Sequence, residues 1–98
     1  MRFEWDEAKD LLNLAKHKIG FETASLVFDD PHALSAQDRT AGGEERWQTL
    51  GMIGGGLIVL VAHTYRKQDG QEAIRIISAR KATPRERRAY EDGYQEAG

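Results

Sequence analysis

One predicted strand ends with His63, Tyr65 and Arg66. Arg75 lies at the start of the next strand, and Arg80 and Lys81 lie at its far end. Metal-free RNA cleavage needs side chains of these types. One group must accept the 2'-hydroxyl proton, another must protonate the leaving oxygen, and fixed cations must surround the phosphorane. Because a lone histidine or arginine at a strand end commonly has a structural role, this set by itself gives a hypothesis and not an assignment.

Basic residues are concentrated near the C-terminus. The 98-residue chain has 14 Lys and Arg against 16 Asp and Glu, a net charge of −2. Residues 1–62 carry a net charge of −4, residues 63–98 carry +2, and residues 75–88 alone carry +5. A basic cluster on an acidic chain indicates a face for a polyanion, although Arg85, Arg87 and Arg88 alone are equally explained as the solvated face of a helix.

The sequence argues against thiol, metal and membrane chemistry. It has no Cys, and its His at 17, 32 and 63 lack the spacing of a metal-ligand set. The longest apolar run, Leu57–Ala62, is far shorter than the roughly 20 residues of a membrane span, and the acidic N-terminus does not resemble a signal peptide. We expect a cytoplasmic protein without a cofactor.

Hydrophobic spacing predicts one α+β domain over residues 1–98, with two N-terminal helices, an antiparallel sheet of three to four strands and a C-terminal helix. The predicted helices are 6–18, 21–28 and one that starts at Thr83, and the predicted strands are 32–36, 47–53, 57–66 and 72–79. The spacing of Ala8, Leu11, Leu12 and Ala15 makes the first helix amphipathic. Tyr90 and Tyr94 are predicted to face inward from the last helix.

Strand alternation predicts which side chains share a face of the sheet. In the strand 57–66, Val59, Val61, His63 and Tyr65 share one face, and Leu60, Ala62 and Thr64 share the other. In the strand 72–79, uninterrupted alternation groups Ile74 and Ile76 with Ser78 and Arg80, and it places Arg75 opposite them.

Several motifs resemble the BrnT family of bacterial toxins over nearly the whole chain. The motifs in the N-terminal half are Phe3-Glu4-Trp5-Asp6, Lys9, Asn13, Lys16-His17, Phe21-Glu22, Ala24, Phe28 and Asp30-Pro31. Those in the C-terminal half are Glu45-Arg46, Gly51, Tyr65-Arg66, Ile74 to Ala82, Glu86-Arg87 and Tyr90. The block Arg-Ile-Ile-Ser-Ala-Arg, residues 75–80, is the most distinctive of them.

The resemblance implies a ribonuclease toxin of a type II toxin–antitoxin system, with a RelE-like fold, that cuts RNA without a metal and slows translation. It also implies a BrnA-like antitoxin that dimerises through a ribbon-helix-helix domain. Two toxins would bind one antitoxin dimer in a heterotetramer, and operator DNA would be bound only through the antitoxin. The alternative is a non-catalytic module that binds RNA or an antitoxin and modulates repression of the operon.

The resemblance and the residue chemistry together give two sets of candidate residues. Arg80, Arg46, His63 and Tyr65 are the catalytic candidates, and Lys16, His17, Arg66, Arg75 and Lys81 are the RNA-binding candidates. Arg80 carries the most weight, because its planar guanidinium suits a phosphorane and a predicted helix begins beside it. Either His17 or His63 is the general acid or base. The structural alternatives are an ion pair of Arg80 with the first helix, and of Arg46 with Glu44 or Glu45.

Overall fold

The computed structural model describes residues 1–97, and for positions 41, 68 and 94–97 it describes the backbone alone. The elements in chain order are β1 Arg2–Glu4, α1 Glu7–His17, α2 Phe21–Ala24, a 3-10 helix Ser25–Asp29, β2 Leu34–Ala41, β3 Glu44–Ile53, β4 Leu57–Gln68, β5 Gln71–Lys81 and α3 Pro84–Ala97. The α+β class is confirmed, and the order of the elements from α1 onward is the predicted one. The predicted second helix is only one α-helical turn, continued by the 3-10 helix.

The sheet has five strands in the order β1-β5-β4-β3-β2. Strands β2 to β5 form the predicted antiparallel meander, whereas β1 pairs in parallel with residues 73–75 of β5. The prediction of three to four strands is therefore wrong, because it omits this short strand. In the sequence, β1 looks like no more than a short extended segment before the first helix. The first hairpin is also longer than predicted, because Gly42 and Gly43 adopt positive φ and form its turn.

Helices lie on both sides of the sheet, and we name the two faces accordingly. On the back face, α2 and the 3-10 helix pack on a core that includes Phe21, Val27, Val61 and Ile74. A Cβ on Gly51 would lie 2.8 Å from the Val27 Cβ, so this glycine lets the 3-10 helix approach β3 closely. The front face carries a smaller core beneath α3, made of Leu50, Ile58, Leu60 and Tyr90.

Helix α3 begins with the predicted capping box. Thr83 Oγ1 accepts a hydrogen bond from the Glu86 amide, and Glu86 Oε1 accepts one from the Thr83 amide. Tyr90 faces inward as predicted, and its hydroxyl donates to Asp30 Oδ2 over 2.6 Å. The prediction for Tyr94 falls on a side chain outside the described set. No helix among residues 1–97 has the length and apolar character needed to cross a bilayer.

Helix α1 has an unexpected orientation. Asp6 caps it as predicted, but the helix ends at Lys18 in the left-handed conformation, before Gly20. Its apolar residues are exposed, and its one buried residue is Asn13. The Asn13 side chain donates to the carbonyls of Ile19 and Ala79 and accepts from the Ala79 amide. The carboxamide thus takes the place of a strand neighbour at the edge of β5, and this pairing outweighs burial of the leucines.

Candidate functional site

A β-bulge in β5 decides which basic side chains share a face. Ala62 pairs with Ser78, but the next residue of β4, His63, pairs with Ile76, so Ile77 has no partner. An extra residue reverses the alternation of every side chain beyond it. Ile74, Ile76 and Ala79 therefore all lie in the back-face core, and Arg75, Ser78 and Arg80 all lie on the front face. The prediction that Arg75 lies opposite Arg80 is wrong for this reason.

The bulge completes a row of arginines across the front face. Arg39 pairs with Arg46, which lies next to Thr64, and Thr64 pairs with Arg75. On β1, Glu4 pairs with Arg75, and its Oε1 lies 3.2 Å from Arg66 Nη1 and 4.0 Å from Arg75 Nη1. We call Arg39, Arg46, Arg66 and Arg75 the arginine row. It sets four guanidinium groups against one carboxylate on a partly open surface.

Three polar atoms in this region are buried without a hydrogen-bond partner among the described residues. They are Arg46 Nε, Thr64 Oγ1 and Glu4 Oε1, the last of which lies at ion-pair distance from Arg66 and Arg75. Buried polar groups are normally hydrogen-bonded, and the exceptions concentrate where a ligand or water completes the set. The sequence-based alternative for Arg46, an ion pair with Glu44 or Glu45, is not among the ion pairs of the described residues. The arginine row is therefore suited to binding an anion.

Between the arginine row and α3 lies a strip of the front face that we call the groove. Its floor is a cross-strand row of small or neutral side chains, Ala36, Gln48, Ala62 and Ser78. Beside α3 it deepens into a cavity of about 220 Å³ that is lined in part by Gln48, Leu50 and Glu86. A floor without large side chains lets an extended chain lie against the sheet.

Arg80 lies on the front face but is engaged by α3. Its Nη1 and Nη2 donate to the two carboxylate oxygens of Glu86 over 2.7 and 2.9 Å. These hydrogen bonds lower the pKa of Glu86 to about 2 and raise the pKa of Arg80. The structural alternative predicted for Arg80 is an ion pair with the first helix. Arg80 does form an ion pair, but its partner Glu86 is in α3. Arg80 pairs with Leu60, four residues along β4 from Thr64, so it lies roughly 13 Å from the arginine row.

His63 is fully buried on the back face. Its Nε2 shares a 2.7 Å hydrogen bond with Thr49 Oγ1, and Phe28 packs edge-on against its ring at 4.9 Å. Burial lowers its pKa to about 4, so the imidazole is neutral at pH 7. Tyr65 lies beside it on the same face, 47% exposed and packed against Trp47. The structure places His63 and Tyr65 on the opposite face of the sheet from Arg46 and Arg80, so it does not bring the four catalytic candidates together.

Lys16 and His17 line a second cavity, of about 300 Å³, between α1 and the edge of β5. Lys9 and Ser78 also line it, and Ser78 belongs to the floor of the front groove. This edge cavity thus continues the groove around β5 and adds two lysines and a histidine to it. Lys81 lies apart, exposed at the end of β5 in register with Val59.

Sequence reasoning missed two contributors to this surface, Arg39 and Lys9. Lys9 lies two helical turns before Lys16, so its place on the same side of α1 is readable from spacing alone. Arg39 falls beyond the predicted end of its strand, and only the observed register places it beside Arg46. Among the side chains that the structure describes, no group of three or more acidic, His or Cys residues is arranged to hold a metal ion.

Comparisons with known proteins agree with this architecture. The Brucella abortus ribonuclease toxin BrnT is 27% identical, with a TM-score of 0.58, and the match covers 85% of this chain and 97% of the Brucella chain. A search of curated proteins gives no match. Residues 5–86 match the family described as "Ribonuclease toxin, BrnT, of type II toxin-antitoxin system". Because that match spans well over half of the sequence, the chain belongs to the BrnT family of type II toxins.

Proposed function

We propose that this chain is a metal-independent endoribonuclease that binds single-stranded RNA in the front-face groove and inhibits translation. The observation that carries the proposal is the arginine row, above all the buried Arg46 Nε without a partner. Guanidinium groups bind phosphate through paired N–H donors and stabilise the extra charge of a phosphorane. Family membership supports ribonuclease activity in general.

In this proposal Arg46 and Arg75 contact the scissile phosphate, and Arg66 contacts a neighbouring phosphate. The 2'-oxygen bonds to phosphorus, the bond to the 5'-oxygen breaks, and a proton passes from the 2'-hydroxyl to the leaving 5'-oxygen. Of the two candidates for the general acid or base, His17 is the one that RNA can reach, because it lines the edge cavity. His63 is buried in the core. Lys16 and Lys9 hold the strand where it passes the edge of β5. Arg80 fixes the start of α3 through Glu86, and Lys81 contributes long-range attraction only.

The first experiment is cleavage of a labelled single-stranded RNA by antitoxin-free protein in EDTA. We expect wild type to cut and to leave 2',3'-cyclic phosphate ends. Arg46→Ala should lower the rate at least about 100-fold, as expected for loss of a donor to transition-state charge. Arg88→Ala, an exposed arginine of α3, is the matched control and should cut at the wild-type rate. Equal rates for Arg46→Ala and wild type would refute this role of the row.

A non-catalytic binding module is the second candidate. The observation that favours it is that two of the four predicted catalytic residues already have partners, His63 with Thr49 and Arg80 with Glu86. Under this alternative, Arg46→Ala weakens RNA binding, but neither protein produces cleaved ends. The same labelled RNA, followed by fluorescence anisotropy, separates the two outcomes.

As a type II toxin, the chain has an antitoxin partner. We propose that this partner is BrnA-like and dimerises through a ribbon-helix-helix domain. Each dimer then carries two toxins in a cytoplasmic heterotetramer and binds operator DNA through the antitoxin alone. Size-exclusion chromatography with light scattering of the co-expressed pair tests the stoichiometry.

A further inference from the structure

Helix α1 presents its apolar side to solvent. Ala8, Leu11, Leu12 and Ala15 recur at the spacing of one helical face, and we call them the α1 stripe. All four are exposed, Leu11 by 65% and Leu12 by 70%. Asn13 lies on the opposite side of the helix, where it pairs with the backbone of β5. Leu12 lies at the border of the stripe and also lines the edge cavity, whereas Ala8, Leu11 and Ala15 point away from the sheet.

A surface helix normally buries its apolar stripe. Here the hydrogen bonds of Asn13 to β5 fix the rotation of α1 about its axis, and this rotation exposes the stripe. The exposure is therefore a property of the folded helix and does not come from unwinding at its end. Contiguous apolar patches on the surface of a small soluble protein mark interaction sites. The α1 stripe has this character, because two exposed leucines are adjacent to each other and flanked by alanines that leave room for a second helix.

We propose that the α1 stripe is the docking surface for an amphipathic helix of the antitoxin. The choice of occupant rests on the proposed function, because it takes the partner to be the antitoxin of a type II toxin. The proposal adds the surface, the chemistry of the partner segment and its orientation.

The size of the stripe argues for the antitoxin over a second copy of this chain. An 11-residue helix is about 16 Å long, and its stripe offers on the order of a few hundred Å². A stable complex buries about 800 Å² on each partner. Two copies joined through this helix alone would fall well short of that area. An antitoxin that also blocks the groove supplies the remaining area through a second segment.

The charges around the stripe indicate an antiparallel helix. The start of α1 is acidic, with Asp6, Glu7 and Asp10, and its end is basic, with Lys16 and Lys18. Helices favour acidic residues in their first turn and basic residues in their last. A partner helix that runs antiparallel to α1 places its acidic start beside Lys16 and Lys18, and its basic end beside Glu7.

The stripe and the arginine row are separate surfaces. The row lies on the front face, whereas the stripe points outward from a helix along the edge of β5. A helix bound to the stripe therefore anchors the antitoxin without covering the row. The anchor sets the affinity of the complex, and a different antitoxin segment blocks RNA.

The test measures binding of the toxin to the antitoxin encoded by the neighbouring gene, by isothermal titration. The probe variant is Leu11→Gln with Leu12→Gln, since glutamine has nearly the helix propensity of leucine and both sites are exposed. We expect the dissociation constant to rise roughly 30- to 100-fold, as for two central apolar contacts. Leu26→Gln, at a 49% exposed leucine of the 3-10 helix, is the matched control and should bind as wild type does.

Equal affinity of the double variant and wild type would overturn the docking proposal, and so would a wild type that does not bind this antitoxin. A wild-type dimer that the double variant dissolves, with antitoxin affinity unchanged, would assign the stripe to a second copy instead. RNA cleavage by the free Leu11→Gln variant is measured in parallel and should equal that of wild type, because Leu11 is not among the residues that line the edge cavity. If wild type binds the antitoxin through the stripe but cuts no RNA, the proposed function fails and the docking surface stands.

Discussion

At the scale of single residues, the same side-chain types have different roles in different surroundings. His63 is sealed against Phe28 and hydrogen-bonded to Thr49, whereas His17 lines an open cavity with Lys16. Arg80 is held by a carboxylate with two hydrogen bonds, whereas the Nε of Arg46 has no partner among the described residues. Residue type proposes a chemistry, and burial and partners decide whether a side chain can perform it.

The depressed pKa of His63 predicts a pH-dependent loss of stability. Its pKa is about 4 in the folded protein and 6.5 when unfolded, so between these values the unfolded state binds more protons. The stabilisation is complete above pH 6.5 and is lost as the pH falls to 4. We expect the free energy of unfolding to drop by about 3 kcal/mol over this range.

Urea denaturation at pH 7 and at pH 4 measures this difference. His63→Gln keeps a hydrogen-bonding partner for Thr49 without titrating, so its pH dependence should be smaller by most of that amount. A His63→Gln variant with an unchanged dependence would assign the loss to other groups.

At the scale of elements, local signals predicted the parts well and non-local pairing decided their orientation. The capping box at Thr83 and the glycine turn before Leu57 depend on neighbouring residues, so sequence alone identified both. The bulge at Ile77 depends on how β5 packs against β4, and no turn residue marks it. Strand pairing over Gly42 and Gly43 likewise extended a hairpin that its polar sequence did not predict.

Helix α1 likewise shows that local sequence signals predict an element but not its orientation in the candidate site. Its periodicity correctly predicts an amphipathic helix, but periodicity cannot tell whether the core or a partner covers the apolar side. The pairing of Asn13 with Ala79, 66 residues away, settles the choice, and it also brings Lys9 and Lys16 to the edge of β5. The candidate residues were thus largely identifiable from sequence, whereas their grouping on two faces was not.

This orientation makes a testable prediction about stability. Asn13→Ala removes three hydrogen bonds and leaves backbone groups of Ala79 and Ile19 without partners, so it should destabilise the fold by about 3 kcal/mol. Leu11→Ala, at a position expected to be buried from periodicity alone, should cost no more than about 0.5 kcal/mol. Chemical denaturation of both variants checks the order, and a larger cost for Leu11→Ala would contradict the outward stripe.

At the scale of the whole molecule, an acidic chain concentrates its positive charge on one side of a thin sheet. Four arginines gather on the front face and lysines extend the surface around β5, while the acidic residues of α1 lie near its start. A net charge of −2 therefore does not oppose RNA binding, because at physiological salt a phosphate responds to charges within roughly 8 Å. RNA binding therefore depends on the basic side chains near each phosphate, and only a few phosphates contribute to it.

That locality predicts a modest salt dependence of RNA binding. If RNA binding neutralises the scissile phosphate, its neighbour at Arg66 and one phosphate each at Lys16 and Lys9, the logarithm of the association constant should fall with the logarithm of salt concentration with a slope of about −3. Arg66→Gln should reduce the magnitude of the slope by about 0.7, whereas Arg88→Gln, which changes the net charge equally, should leave it unaltered. Anisotropy titrations of a labelled RNA at several salt concentrations measure both values. Equal reductions in the two variants would mean that RNA responds to overall charge, and the arginine row would then not be its binding surface.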